Sequence, residues 1–141
     1  MSASAFIDTN VLVYVFDHDE PLKQQRAREI LEGATPGDLA LSTQVLSEFY
    51  VTVTRKLARP LDAALATQVV DWLGLLSVVS ADLTLVKSAI RTSQSAQLSY
   101  WDGLVVAAAT RAGCERLLTE DLNDGQRIGS MLIENPFRDI V

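Results

Sequence analysis

Four carboxylates in this chain stand where chemistry is possible: Asp8, Glu48, Asp102 and Asp121. Asp8 interrupts the apolar run "AFIDTNVLVYVFD" at residues 5–17, and Asp121 stands three positions beyond Leu118, the end of "RLL" at 116–118. Carboxylates within about 4 Å of each other repel by roughly 4 kcal/mol per pair at an effective dielectric near 20. Acids drawn together therefore call for protons or cations, and a bound cation inverts the local field. The question is whether the fold gathers them.

Each acid also has a plainer reading. Asp8 fits a helix N-cap, yet Thr9 and Asn10 are good caps too, so an acid at the end of an apolar run is more than capping requires. Asp102 follows Ser99 by three residues, a capping box, but Val105 and Val106 place its carboxylate at the edge of an apolar face. Glu48 lies beside the stripe of Val45, Leu46, Phe49 and Val53, where a solvent-exposed Glu is the simple reading. Asp121 sits in an acidic loop with Glu120 and Asp124. Asp121 and Asp124 are interchangeable candidates there, ranked in that order because Asp121 lies nearer the strand end, and Glu120 is expected to face solvent.

The elements that must position these acids follow from periodicity and punctuation. Residues 4–7 read as a strand, followed by a helix over about 10–16. Pro21 opens a second helix that runs to Gly33, with Leu22, Ala27, Ile30 and Leu31 on one face, and Thr35-Pro36-Gly37-Asp38 is a turn. Leu39–Leu41 is a strand, and after Ser42-Thr43 the residues Val45, Leu46, Phe49, Tyr50, Val53 and Leu57 fall at helical spacing and mark a third helix. Pro60 restarts the chain into a helix with Leu61, Ala64, Leu65, Val69 and Trp72 on its apolar face, ended by Gly74. Leu75–Val79 reads as a strand and Asp82 to about Ser93 as a helix facing inward through Leu83, Val86 and Ile90. The helix after Ser99 is closed by Gly113, and strands follow at Arg116–Leu118 and Met131–Ile133, with an optional helix between them. This alternation, without a tight hairpin signal, predicts one domain over 1–141: a three-layer α/β/α fold on a mainly parallel sheet of about five strands. Such a sheet binds its ligand beyond the carboxyl ends of the strands, where Asp8 and Asp121 fall.

Four segments in order, "FIDTNVLVY", "STQVLSEF", "LSYWDGLVVAAA" and "RLLTEDL", resemble the successive motifs of the PIN domain, a metal-dependent nuclease fold. The likeness spans nearly the whole chain and is greatest to the small VapC-type ribonuclease toxins. It implies that Asp8, Glu48, Asp102 and Asp121, with Asp124 as the alternative fourth acid, hold Mg²⁺ or Mn²⁺. It implies likewise that Thr9, Asn10, Ser99 and Thr119 orient them. An RNA substrate, a cognate antitoxin and a homodimer follow from the same resemblance. Mg²⁺ suits such a set, being a hard ion that takes oxygen ligands and keeps several waters.

Composition narrows the alternatives. The net charge of −6 argues against a passive polyanion binder. The one cysteine, Cys114, excludes an internal disulfide and reads as core, while the one histidine, His18, reads as surface. No basic segment precedes the first apolar run and no run approaches the length of a membrane span, so the expected location is the cytoplasm, with no membrane partner. Arg55, Lys56 and Arg59 end a helix; dipole compensation is the preferred reading for Lys56, and contact with RNA phosphates is the alternative. A PIN-type nuclease of RNA processing without an antitoxin is the runner-up. A phosphotransfer protein using a strand-end aspartate lacks support: Asn10 stands where a second acid is expected, and no Lys follows Lys87.

Overall fold

The computed structural model describes residues 3–35 and 37–141. In chain order the elements are β1 (Ala5–Ile7), α1 (Thr9–Tyr14), α2 (Pro21–Gly33), β2 (Leu39–Ser42), α3 (Thr43–Arg55), α4 (Ala63–Leu73), β3 (Ser77–Val79), α5 (Leu83–Ala96), α6 (Tyr100–Arg111), β4 (Arg116–Leu118), β5 (Arg127–Ile128) and β6 (Met131–Glu134). The strands form one sheet in the order β3-β2-β1-β4-β6-β5. Every pairing is parallel except that of β5 with β6. This is the expected α/β fold on a mainly parallel sheet.

Local chemistry explains the helix starts. Ser42, Asp62, Asp82 and Ser99 each accept, through the side chain, the backbone N–H three residues on, satisfying a donor that the first helical turn leaves free. Pro21 opens α2 without a side-chain cap, its missing N–H costing nothing there. In α3 the fully buried Val45, Phe49 and Val53 recur every four residues and hold the helix in the core. β1 lies between β2 and β4 and is buried along its whole length, as a central parallel strand should be.

Several expectations are corrected. The sheet has a sixth strand, because Arg127–Ile128 pairs with Met131–Leu132 around Gly129-Ser130. Gly129, at φ +61°, adopts the left-handed backbone that such a two-residue hairpin requires. Turns and this hairpin, not a helix, join β4 to β6. β3 begins at Ser77, since Leu75 and Leu76 bond back to Trp72 and Leu73 and finish the turn after α4. The inward face of α5 is Leu85 and Ala89, whereas Leu83 and Ile90 are exposed. On α4 it is Ala66 and Leu73, leaving Leu65 and Trp72 largely exposed. On α2 Ala27 is buried and Leu22 is exposed. The expected turn at 35–38 includes Pro36, which lies outside the described residues.

The contact between α5 and α6 is sterically tight. A methyl group added to Gly103 of α6 would come within 2.7 Å of the Ala89 carbonyl oxygen and 3.0 Å of the Ser93 Cβ. The two helices meet here on small residues, Gly103 against Ala89 and Ser93, while Leu83 and Ile90 of α5 stay exposed.

Candidate functional site

The strand order reverses between β1 and β4, the switch point at which an open α/β sheet leaves a crevice beyond its carboxyl edge. Ile7 pairs with Leu118, so the next residues of the two strands, Asp8 and Thr119, emerge side by side at that edge. The Asp8 N–H donates to the Leu118 carbonyl at 3.0 Å and extends the pairing by one residue.

Asp8 is 7 % exposed and serves as the N-cap of α1. Its Oδ1 accepts the Thr9 N–H at 2.8 Å and its Oδ2 accepts the Thr119 hydroxyl at 2.8 Å. Thr119 is fully buried. Its oxygen also accepts Asn10 Nδ2 at 3.2 Å and the Asp121 N–H at 3.1 Å. One donated and two accepted bonds exhaust a hydroxyl, so the Thr119 rotor is set. Asn10 uses both of its amide hydrogens: its Nδ2 also donates to Asp121 Oδ2 at 3.0 Å, and its Oδ1 accepts the Glu120 N–H at 3.2 Å. Across the crevice the Thr9 hydroxyl donates to Glu48 Oε2 at 3.0 Å, and Gln44 Nε2 donates to Glu48 Oε1 at 2.9 Å.

Asp8, Glu48 and Asp121 are thus joined through the polar side chains of Thr9, Asn10 and Thr119. The electrostatics agree. Burial pushes the Asp8 carboxyl up to about 6 against the hydrogen bonds from Thr119 and Thr9, and the charges of Asp121 and Glu48 push the same way. A cation near Asp8 would reverse that direction.

The other candidates are placed differently. Asp102, half-buried in the first turn of α6, gives its N–H to the Ser99 hydroxyl at 3.1 Å. Among the described residues its carboxylate takes no return bond from the Ser99 N–H, so only half of the capping box forms and the acid is not spent on it. Ser99 therefore fixes the start of α6 and not a carboxylate. Asp124 is occupied elsewhere: it accepts the Asn135 N–H at 2.8 Å and lies 3.8 Å from Arg138.

Glu120, expected to face solvent, is half-buried and paired. It accepts from the Tyr14 hydroxyl, and Lys23 Nζ lies 2.8 Å from its Oε2. Tyr14 packs edge-on against Phe137 with centroids 4.9 Å apart. Burial and Glu120 together raise the Tyr14 pKa and keep the phenol neutral. This cluster and Gln44 are absent from the sequence reading. The spacing of four between Gln44 and Glu48 was a usable signal, whereas Lys23 and Glu120, far apart in the chain, carried none.

The crevice opens as a cleft of about 640 Å³ lined by Asn10, Tyr14, Glu48, Val51, Lys56 and Asp121 among others. Asp8 does not line it, whereas its chain neighbours Thr9 and Asn10 do. No three acid, His or Cys side chains among the described residues stand close enough to form a ready-made metal cage. The donor set nevertheless fits Mg²⁺, which is commonly held by one or two carboxylates, with water and substrate phosphate completing its shell. Cys114 is buried, and that burial pushes its thiol up to about 11 and disfavours the thiolate.

Comparison with known proteins bears on this arrangement. The PIN domain family profile matches residues 5–127. No curated protein matches the chain. Among solved structures, a toxin-antitoxin complex from Klebsiella pneumoniae superposes with a TM-score of 0.70 at 20% identity, covering 94% of this chain and 98% of that one. VapC20 of Mycobacterium tuberculosis, a toxin that cleaves the sarcin-ricin loop, gives 0.66 at 17% identity, covering 81% and 87%. DNA-bound VapBC from Salmonella typhimurium gives 0.67 at 18% identity, covering 95% and 98%. At these identities the likeness is one of fold.

Proposed function

The chain belongs to the PIN domain family, and from that premise we propose that it is a divalent-metal-dependent endoribonuclease acting as the toxin of a toxin–antitoxin pair. The observation that carries this reading is the buried Asp8 at the sheet's switch point, joined through Thr9, Asn10 and Thr119 to Glu48 and Asp121. Asp8, Glu48, Asp102 and Asp121 would hold Mg²⁺ or Mn²⁺. Asp121 is preferred to Asp124, whose carboxylate is taken by Asn135 and Arg138. When bound, the ion supplies an activated water and charge stabilisation at the phosphate, and admits a polyanion to an acidic cleft.

The chain's own groups do the positioning. Thr9 N–H and Thr119 hold both Asp8 oxygens, Thr9 and Gln44 hold Glu48, and Asn10 holds Asp121. In the reaction water adds to phosphorus, the P–O bond to the leaving nucleoside breaks, and that oxygen takes up a proton.

The antitoxin and homodimer belong to the same proposal. The exposed Leu65 and Trp72 line an apolar groove of about 490 Å³, and Tyr50 and Val51 are exposed on α3. Apolar surface of this kind favours a protein partner. No helix among the described residues is long and apolar enough to cross a membrane, and we place the protein in the cytoplasm as one nuclease domain over 1–141.

The test is cleavage of RNA by the purified protein. Activity is expected with Mg²⁺ or Mn²⁺, to vanish with EDTA, and to fall in Asp8→Asn by more than the roughly 10- to 100-fold that loss of a ligand's hydrogen-bonding partner costs. Equal cleavage by the variant, or activity indifferent to EDTA, would sink the mechanism.

A further inference from the structure

The cleft is not uniformly acidic. Along α3 its lining residues are Ser47, Glu48, Val51 and Thr52, and then Lys56 just beyond the helix end. Their spacing of one, three and four residues marks a single helix face running from the acids to a lysine. Glu48 and Lys56 are eight positions apart, roughly 12 Å along the axis. Lys56 forms no ion pair among the described residues, although Asp17 lines the same cleft. Asp17 instead uses its Oδ1 to accept the Asp19 N–H at 3.1 Å. An unpaired cation in a cleft with acids on its walls is a counter-charge for something that enters.

We propose that Lys56 anchors a second phosphate of the substrate strand, so that the strand lies along α3 with one phosphate at the acids and another at the far end of the cleft. This rests on the nuclease reading above and adds a direction to it. Val13, Tyr14 and Val51 also line the cleft and add apolar surface to it. A lysine at a helix C-terminus also compensates the dipole, and that role is indifferent to substrate length. Substrate length therefore separates the two roles.

The experiment compares wild type, Lys56→Gln and Lys56→Arg on two substrates, a dinucleotide with a single phosphodiester and a ten-nucleotide RNA, with Mn²⁺ and varied KCl. For the longer RNA, Lys56→Gln is expected to raise KM about 5-fold or more with kcat little changed. The slope of log KM against log salt should drop by about 0.7, the value for one single-strand phosphate contact. Lys56→Arg should restore both, and turnover of the dinucleotide should be the same in all three proteins. An unchanged KM and salt slope for the longer RNA, or an equal loss on the dinucleotide, overturns the inference while leaving the nuclease reading intact. Absence of cleavage by the wild type overturns the nuclease reading and the inference with it.

Discussion

At Asp8 two demands oppose each other. Burial, with the charges of Asp121 and Glu48, disfavours the carboxylate, while the hydrogen bonds from Thr119 and Thr9 favour it, and the net effect lifts its pKa from 3.8 to about 6. Between those values the folded protein holds more protons at this site than the unfolded chain. Stability of the metal-free protein must then fall as pH rises from about 4 to about 6, by on the order of 3 kcal/mol, and level off above. Asp82 and Asp139 act in the opposite sense and at lower pH. The Leu85 N–H and Arg111 at the first, and Arg26 at the second, hold their pKa values down, so what they contribute is lost only as pH falls below the usual carboxylate range. Thermal melts in EDTA across pH 4 to 7.5 should therefore show a decline in wild type that is missing in Asp8→Asn. Parallel profiles in the two proteins would show that Asp8 does not bear this charge.

At the scale of elements, α6 carries Asp102 on its first turn and is set against α5 by the residue beside it. Gly103 has room for a hydrogen and not for a methyl, with Ala89 O at 2.7 Å from where the Cβ would stand. Gly103→Ala should cost about 1–3 kcal/mol in urea denaturation, as overpacking does, and should reduce RNA cleavage further by shifting Asp102. Stability equal to wild type would mean that the α5–α6 contact does not set the position of α6. This contact also shows what periodicity misses. Helix starts were largely legible because they depend on neighbours in sequence: Ser42, Asp82 and Ser99 cap as their types suggest, whereas the start of α4 was read at Pro60 and its cap is Asp62. The inward faces of α4 and α5 were not, because they depend on which surface each helix meets. Leu65, Trp72, Leu83 and Ile90 look like core by type and are left exposed. The β5–β6 hairpin, by contrast, was signalled by Gly129-Ser130 between two short strands and passed over because β5 is only two residues long.

At the scale of the whole molecule, the parallel order of the strands turns four acids scattered from residue 8 to residue 121 into a question about one edge of the sheet. As candidates, Asp8 and Asp121 stand out in the sequence because both closely follow strands, and Glu48 and Asp102 because they stand in segments that resemble PIN-domain motifs. Their partners stand out less. Thr119 is recognisable as polar at a strand end, but its triple use by Asp8, Asn10 and Asp121 exists only once β1 and β4 lie side by side. Lys23 and Glu120 meet only because α2 packs near the loop that follows β4. On the nuclease reading proposed above, a chain of net charge −6 would need cations wherever it meets a polyanion, and the acids at this edge are where they would sit. The most direct test is Mn²⁺ binding by the purified protein without nucleic acid, followed by the loss of the free-ion electron paramagnetic resonance signal. Wild type should bind Mn²⁺ saturably at pH 7.5, and Asp8→Asn, shown to be folded by circular dichroism, should not. Equal Mn²⁺ binding by the two proteins, or none by wild type, would contradict the account.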